Sequence, residues 1–271
     1  LSWEEFRGFR EEDPGGVREE LSPQSHKPWP FRPRVTVSYA QTLDGRLATA
    51  GGSSQWISAG ESLRFTHELR AAHDAILVGA GTACRDDPKL TVRHAAGADP
   101  LRVVVDSGLR IPPDAAVLSG EAAPGTLLAV TGKAPEERRR RVRDLGAEVV
   151  EVAEDRSGRI ELSALLAELG RRGVGSVMVE GGAEIITCLL AERLADRLVV
   201  CVAPKILGSG IEAVGELGVR SLDHSLELAD VAVTRCGVDL LLDGRLVYPE
   251  TGPGGHENGP RDASREDARG V

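Results

Sequence analysis

Between residues 34 and 249, short runs rich in valine, leucine and isoleucine alternate with stretches of helical period, and no other feature constrains the fold so strongly. Strand patterns fall at 34–40, 74–79, 101–106, 126–131, 147–152, 176–180, 197–204, 228–237 and 238–249. Helical patterns fall at 59–72, 135–145, 161–171 and 183–194. A strand that reaches its neighbour through a helix arrives parallel to it, because the crossover returns the chain to the same end of the sheet. The chain therefore predicts an α/β architecture, a mixed and mostly parallel sheet flanked by helices. No helix separates the last two runs, so the sheet should end in an antiparallel hairpin turning near Gly237.

Local signals agree with these spans. "SAGE" (58–61) is a capping-box pattern in which Ser58 and Glu61 would satisfy free backbone donors of the first helix. The second helix starts after Pro135 and stops at "LG" (145–146). Residues 1–32, rich in charge, proline and glycine, read as an extended arm, and 250–271 as a disordered tail. The folded body is then 33–249.

A net charge of −9 argues against a general nucleic-acid partner, which would need a basic face. No apolar run reaches the length of a membrane span, and residues 1–16 lack the apolar core of a signal peptide. Cys84, Cys188, Cys201 and Cys236 are scattered, with no zinc-ligand spacing, so a reducing, cytoplasmic setting and no metal are expected. The run "EERRRRVR" (136–143) reads as a solvated helix face.

Three stretches carry candidate chemistry. In "SVMVEGGAEIITCLLAERL" (176–194) a buried strand runs through Glu180 into Gly181 and Gly182, and a helix follows. Two glycines let the backbone come close to a ligand, and the helix's free N–H groups favour a phosphate there. Read alone, the pair is equally well a tight turn. In "SYAQTLDGRLATAGGSSQWIS" (38–58), Trp56 flanked by serines suits a flat ring, although core packing explains it as simply. In "RFTHELRAAHDAILVGAGTACRDDPKLTVR" (64–93), Asp86 and Asp87 precede Pro88 as a turn would, and Arg70 and Arg93 each read alone as surface residues. No G-x-G-x-x-G, P-loop or G-x-S-x-G pattern is present.

"TLDGR" (42–46), "GGSSQWIS" (51–58), "LRAAHDAILVGAGT" (69–82), "DDPKLTVR" (86–93), "VVVDSGLRIP" (103–112), "VEGGA" (179–183) and "APKILGSG" (203–210), in this order, resemble the pyrimidine reductases of riboflavin biosynthesis. Those enzymes share the dihydrofolate-reductase-like fold, which the resemblance implies for a reductase domain at 33–249. It implies NADPH as hydride donor, a ribosylamino-pyrimidine 5′-phosphate as substrate, reduction of its ribose to a ribityl chain, and a homodimer. By motif, Ser54, Arg70, Leu90, Arg93 and Glu180 would hold the substrate, with Arg70 and Arg93 on its phosphate. Ala40, Trp56, Thr82, Asp86, Ser107, Gly181, Gly182, Ala183, Glu184 and Ile185 would hold the cofactor.

The resemblance names no catalytic residue; Glu180 and Asp86 are the nearest titratable candidates for a proton donor. Ser38 stands where the bifunctional bacterial enzymes of the family carry a lysine, and with "HELRAAHD" (67–74) it resembles the stand-alone archaeal-type reductases, whereas Trp56 resembles the bacterial ones. The zinc signature of the companion deaminase, H-x-E with P-C-x-x-C, is absent from the sequence. Other readings are a related NADPH reductase acting on another pterin or pyrimidine, and a non-catalytic NADPH-binding protein.

Overall fold

In the computed structural model, which describes residues 32–54 and 57–250, the apolar runs at 75–79, 101–105, 126–130 and 176–180 are strands covered on both faces. Strand β1 (Arg34–Thr42) leads through a short β2 (Arg46–Thr49) and helix α1 (Gly60–Ala71) to β3 (Ala75–Gly79). Helix α2 (Ala80–Asp86) precedes β4 (Leu101–Val105) and β5 (Thr126–Val130). Then come α3 (Glu136–Asp144), β6 (Glu148–Glu151), α4 (Leu162–Arg171), β7 (Ser176–Glu180) and α5 (Ala183–Ala191). The chain ends in β8 (Arg197–Ala203), a short β9 (Gly210–Glu212), β10 (Glu227–Cys236) and β11 (Asp239–Val247).

Nine strands form one sheet in the order β10-β11-β8-β1-β7-β3-β4-β5-β6. From β8 to β6 every pairing is parallel, while β11 runs antiparallel to both β8 and β10. Alternate residues of each strand feed opposite layers. Val37, Leu77, Val103, Leu127 and Val179 pack against Leu165, Leu169, Ile186 and Leu189 of α4 and α5. On the other face, Ile76, Val78, Val104 and Leu128 meet Ala83 of α2 and Val142 of α3. Met178 and Val199 meet Phe65 and Leu69 of α1.

The nine sheet strands predicted from pattern are the nine observed, with ends shifted by one or two residues. The hairpin turns as expected, with Cys236 opposite Asp239 and Gly237 at φ 62°. Pattern missed β2, β9 and α2, which are short and carry no period of their own. The run "EERRRRVR" is a solvated face except at Val142, which is core, and Arg139, which folds inward and donates to the carbonyls of Thr131 and Ala134 and to Glu151. The arm and tail lie outside the described residues, apart from Arg32 and Glu250.

One helix end is corrected. The N-cap of α1 is Ala59, and no side chain of its own segment caps it, so Ser58 and Glu61 form no capping box. The cap comes from the far end of the chain: buried Asp239 accepts from the Ala59 N–H at 2.6 Å and the Ser62 hydroxyl at 2.7 Å. Asp239→Ala should therefore cost about 3 kcal/mol, since a buried and a half-buried donor lose a charged acceptor. Ser58→Ala should change stability by less than about 0.5 kcal/mol. Urea unfolding of the two variants checks the contrast; equal midpoints would show that the hairpin cap carries no weight.

Candidate active site

The chain leaves β3 toward β4 on one side of the sheet and leaves β7 toward β8 on the other, although β3 and β7 are paired neighbours. Their carboxyl ends bound the crevice that opens where connections diverge, the place where α/β sheets bind ligands. Gly181 and Gly182 leave β7 with φ of 64° and 84°, values that side-chain-bearing residues rarely adopt. A Cβ added to Gly182 would stand 3.4 Å from the Thr82 hydroxyl, and one on Gly79 would stand 2.9 Å from Cδ1 of Ile185. The turns after β3 and β7 are therefore packed side by side, bringing together Thr82, Gly181, Gly182 and Ile185.

No side chain caps the start of α5 at Gly182, so its first N–H groups, at the positive end of the helix dipole, have no side-chain acceptor. Glu184 lies in that first turn, exposed, and its carboxylate is taken up by Arg159 at 2.6 Å. Ala183 begins the helix. Ser107 follows β4 in a turn closed by the Leu109 N–H on the Asp106 carbonyl, and its hydroxyl accepts from the Ile160 N–H at 3.2 Å. Ala40 sits near the carboxyl end of β1, opposite Cys201.

Four of the expected substrate residues lie together, because Arg70 bonds both Glu180 and the loop that runs from Leu90 to Arg93. Arg70 is not a surface residue: it is 8% exposed and sends Nε and Nη2 to the two oxygens of Glu180 at 2.5 and 2.7 Å. Its Nη1 donates to the Thr91 carbonyl at 3.0 Å. All three guanidinium nitrogens are thus committed within the protein, whereas Arg93 is exposed and its Nη1 donates to the Thr91 hydroxyl. Glu180 lies in register with Ser38 of β1. Leu90 is 2% exposed and packs in the core, so what it offers a ligand is its backbone.

The loop "RDDPKLTVR" explains its own charge. Asp87 and Leu90 stand at φ 41° and 53°, on either side of Pro88 and Lys89. Left-handed geometry at residues other than glycine costs on the order of 1–3 kcal/mol each, so other contacts must hold it. The buried Leu90 side chain is one, and Asp87 accepts from the Ala116 N–H at 2.7 Å. Asp86 is exposed, with burial of its near side pushing its carboxyl above the usual range.

Sequence reading gave no role to two residues that organise this region. Asp99 accepts the Val92 N–H, and His67 accepts the Arg93 N–H. Asp44 of "TLDGR" accepts from Leu207 and Gly208 of "APKILGSG", while Arg46 donates to the Gly208 carbonyl. Those two motifs are therefore one structural unit, the β2–β9 pair. Hydrogen bonds from Thr42 and the two loop amides hold the Asp44 carboxyl down at about 2. Such long-range partners have no local signal. Ser54 is half-buried beside the Ile57 turn; Trp56 lies outside the described residues. No group of three metal-ligating side chains occurs among the described residues.

The sheet order defines the class first: an α/β protein of dihydrofolate-reductase-like fold, with a switch point between β3 and β7. Residues 33–242 match the model of the RibD C-terminal domain, and the chain belongs to that family. It is 38% identical over 212 residues to the riboflavin biosynthesis protein RibD of Aquifex aeolicus, covering 78% of this chain and 57% of that one. It is 47% identical over 181 residues to the 2,5-diamino-6-ribosylamino-4(3H)-pyrimidinone 5′-phosphate reductase of Methanothermobacter thermautotrophicus, covering 66% and 81%. Among solved structures, Acinetobacter baumannii RibD superposes with a TM-score of 0.70 at 27% identity, covering 80% of this chain and 59% of that one. The chain thus spans a little over half the length of the RibD proteins it matches.

Proposed function

We propose that this chain is an NADPH-dependent reductase that converts the ribose of a ribosylamino-pyrimidine 5′-phosphate to a ribityl chain. The observation that carries the reading is the crevice, where the Gly181–Gly182 turn, a space that a Cβ would fill, faces Thr82 beside the Arg70–Glu180 pair and the Arg93 loop. A nicotinamide cofactor fits these residues. The bare backbone at Gly181 and Gly182 and the uncapped start of α5 suit its pyrophosphate, with the Thr82 hydroxyl against Gly182. When bound, the cofactor supplies a hydride to C1′ of the opened sugar.

The protein's part is placement and exclusion of water. Glu180, fixed by Arg70, accepts from the polar edge of the pyrimidine or from a ribose hydroxyl. Arg93 grips the 5′-phosphate, and the Leu90 backbone borders the ring. A preference for NADPH over NADH is supported by a cleft of about 230 Å³ beyond the Ser107 turn, lined by Arg110, Arg138 and Arg141, whose guanidinium groups suit a 2′-phosphate. Asp86, raised by burial, is the better proton donor of the two carboxyls considered, because Glu180 has both oxygens taken up by Arg70.

The diamino substrate is favoured over the deaminated one. The archaeal relatives at 47% and 43% identity are named for it, against 38% for the RibD of Aquifex, and Ser38 stands beside Glu180 where the bifunctional enzymes carry lysine. A homodimer is part of the proposal: β10 is an edge strand with Val231 and Val233 exposed along it. We place the protein in the cytoplasm, where its four thiols would stay reduced; among the described residues no helix is long and apolar enough to cross a membrane.

The test is oxidation of NADPH and of NADH by the purified chain, with the diamino and the deaminated ribosylamino-pyrimidine phosphates offered in parallel. Turnover of the diamino compound with NADPH is expected. Preference for the deaminated compound would move the step to after deamination, and no turnover with either would overturn the assignment.

A further inference from the structure

Thr91, Val92 and Arg93 have three successive backbone groups held by three side chains from elsewhere. Arg70 takes the Thr91 carbonyl at 3.0 Å, Asp99 the Val92 N–H at 2.7 Å, and Nδ1 of His67 the Arg93 N–H at 3.0 Å. Two of these three, His67 and Arg70, project from α1 one turn apart, so one helix face sets the path of the loop. The Arg93 guanidinium then folds back, with Nη1 donating to the Thr91 hydroxyl at 2.8 Å. Backbone and side chain of Arg93 are thus fixed from two directions, while the residue itself stays exposed.

His67 is unusual in this set. Its side chain is fully buried, and its Nε2 has no hydrogen-bond partner. The His94 ring meets it edge-on, with centroids 4.7 Å apart. A ring whose Nδ1 accepts a hydrogen bond must carry its proton on Nε2, so the molecule tolerates a buried, unpaired donor to keep the acceptor. Burying such a group without a partner forfeits its hydration, a loss that apolar packing at the same place would avoid. Burial, together with the nearby Arg70, Arg93 and His94, outweighs the opposing pull of the Thr91 carbonyl and holds the ring down at about 4, so Nδ1 stays an acceptor at neutral pH.

We propose that His67 is a positioning residue: its Nδ1, by holding the Arg93 N–H, places the Arg93 guanidinium for the substrate's phosphate. The inference rests on the reading of Arg93 as the phosphate grip. It makes the substrate site depend on a side chain that never touches substrate.

Asparagine and glutamine separate this role from bulk packing. In His67→Asn the new amide oxygen reaches the place of Nδ1, whereas His67→Gln puts its amide where Nε2 stands. With the whole chain, ribose 5-phosphate binding is measured by calorimetry, and KM and kcat with the pyrimidine phosphate and NADPH. H67Q should raise the ribose 5-phosphate Kd and the substrate KM about tenfold, the worth of one buried hydrogen bond. H67N should stay within about threefold of the parent, with kcat and the NADPH KM near unchanged in both. Equal behaviour of H67N and H67Q, or a loss confined to kcat, would overturn the proposal.

Arg93→Ala distinguishes the two levels. If it leaves ribose 5-phosphate binding unchanged, the phosphate grip itself is wrong and the inference falls with it. If R93A weakens binding while H67Q does not, the grip stands and His67 has no positioning role. Hydrogen exchange at the Arg93 amide of the unmodified protein gives a reading without any variant: slow exchange supports the bond, and exchange at the free rate refutes it.

Discussion

Arg70→Ala is expected to cost about 3–5 kcal/mol of stability and to reduce kcat/KM about a hundredfold or more. The guanidinium is buried, and its removal leaves the Glu180 carboxylate without either of its short contacts and the Thr91 carbonyl without its donor. A buried ion pair contributes little net stability against an apolar substitute, but breaking one half strands the other charge. The double replacement Arg70→Met with Glu180→Leu should therefore recover most of the lost stability and none of the activity. Denaturant unfolding and steady-state kinetics on the single and double variants separate the two effects. If the single variant loses less than about 1 kcal/mol, the pair is better solvated than its geometry shows.

The second large effect is expected at the β7–α5 turn. Gly182→Val should weaken NADPH binding about a hundredfold, on the order of 3 kcal/mol, while Gly173→Ala, in open space, should leave it unchanged. At φ 84° a β-branched residue is strained, and its first carbon would already stand 3.4 Å from the Thr82 hydroxyl, in the space assigned to the pyrophosphate. Gly173 has φ 86° but nothing within 4 Å of an added Cβ, so it carries the strain without the obstruction. Fluorescence titration with NADPH compares the two. Similar weakening in both would mean that backbone strain acts through global stability and that the turn is not the cofactor's seat.

Other positions show where sequence reading stops. Leu90 reads correctly as part of a conspicuous loop, yet its side chain is core and its left-handed backbone is visible only in three dimensions. Arg70 reads as a helix-surface cation because its periodic neighbours are polar; it is buried because Glu180, 110 residues later, meets it. The capping box at Ser58 satisfied every local criterion and lost to Asp239, which arrives 180 residues after the Ala59 N–H it accepts. At Arg70 and Ser58 a local signal competed with a partner distant in sequence, and the partner had the better geometry.

Sequence alone settles the alternation of strand and helix, the closing hairpin and the Gly-Gly junction after β7. Each rests on interactions within a few residues: apolar period, a missing crossover, and backbone freedom at glycine. The order of seven short motifs then placed the family. Only the tertiary structure decided that β7 inserts between β1 and β3, which puts Glu180 opposite Ser38 and Gly182 against Thr82. It alone paired Arg70 with Glu180 and set His67 under Arg93. The reason is physical: strand order and side-chain partnership are settled by which buried polar groups can satisfy one another across the sheet, and one chain's local periodicity carries no record of that choice.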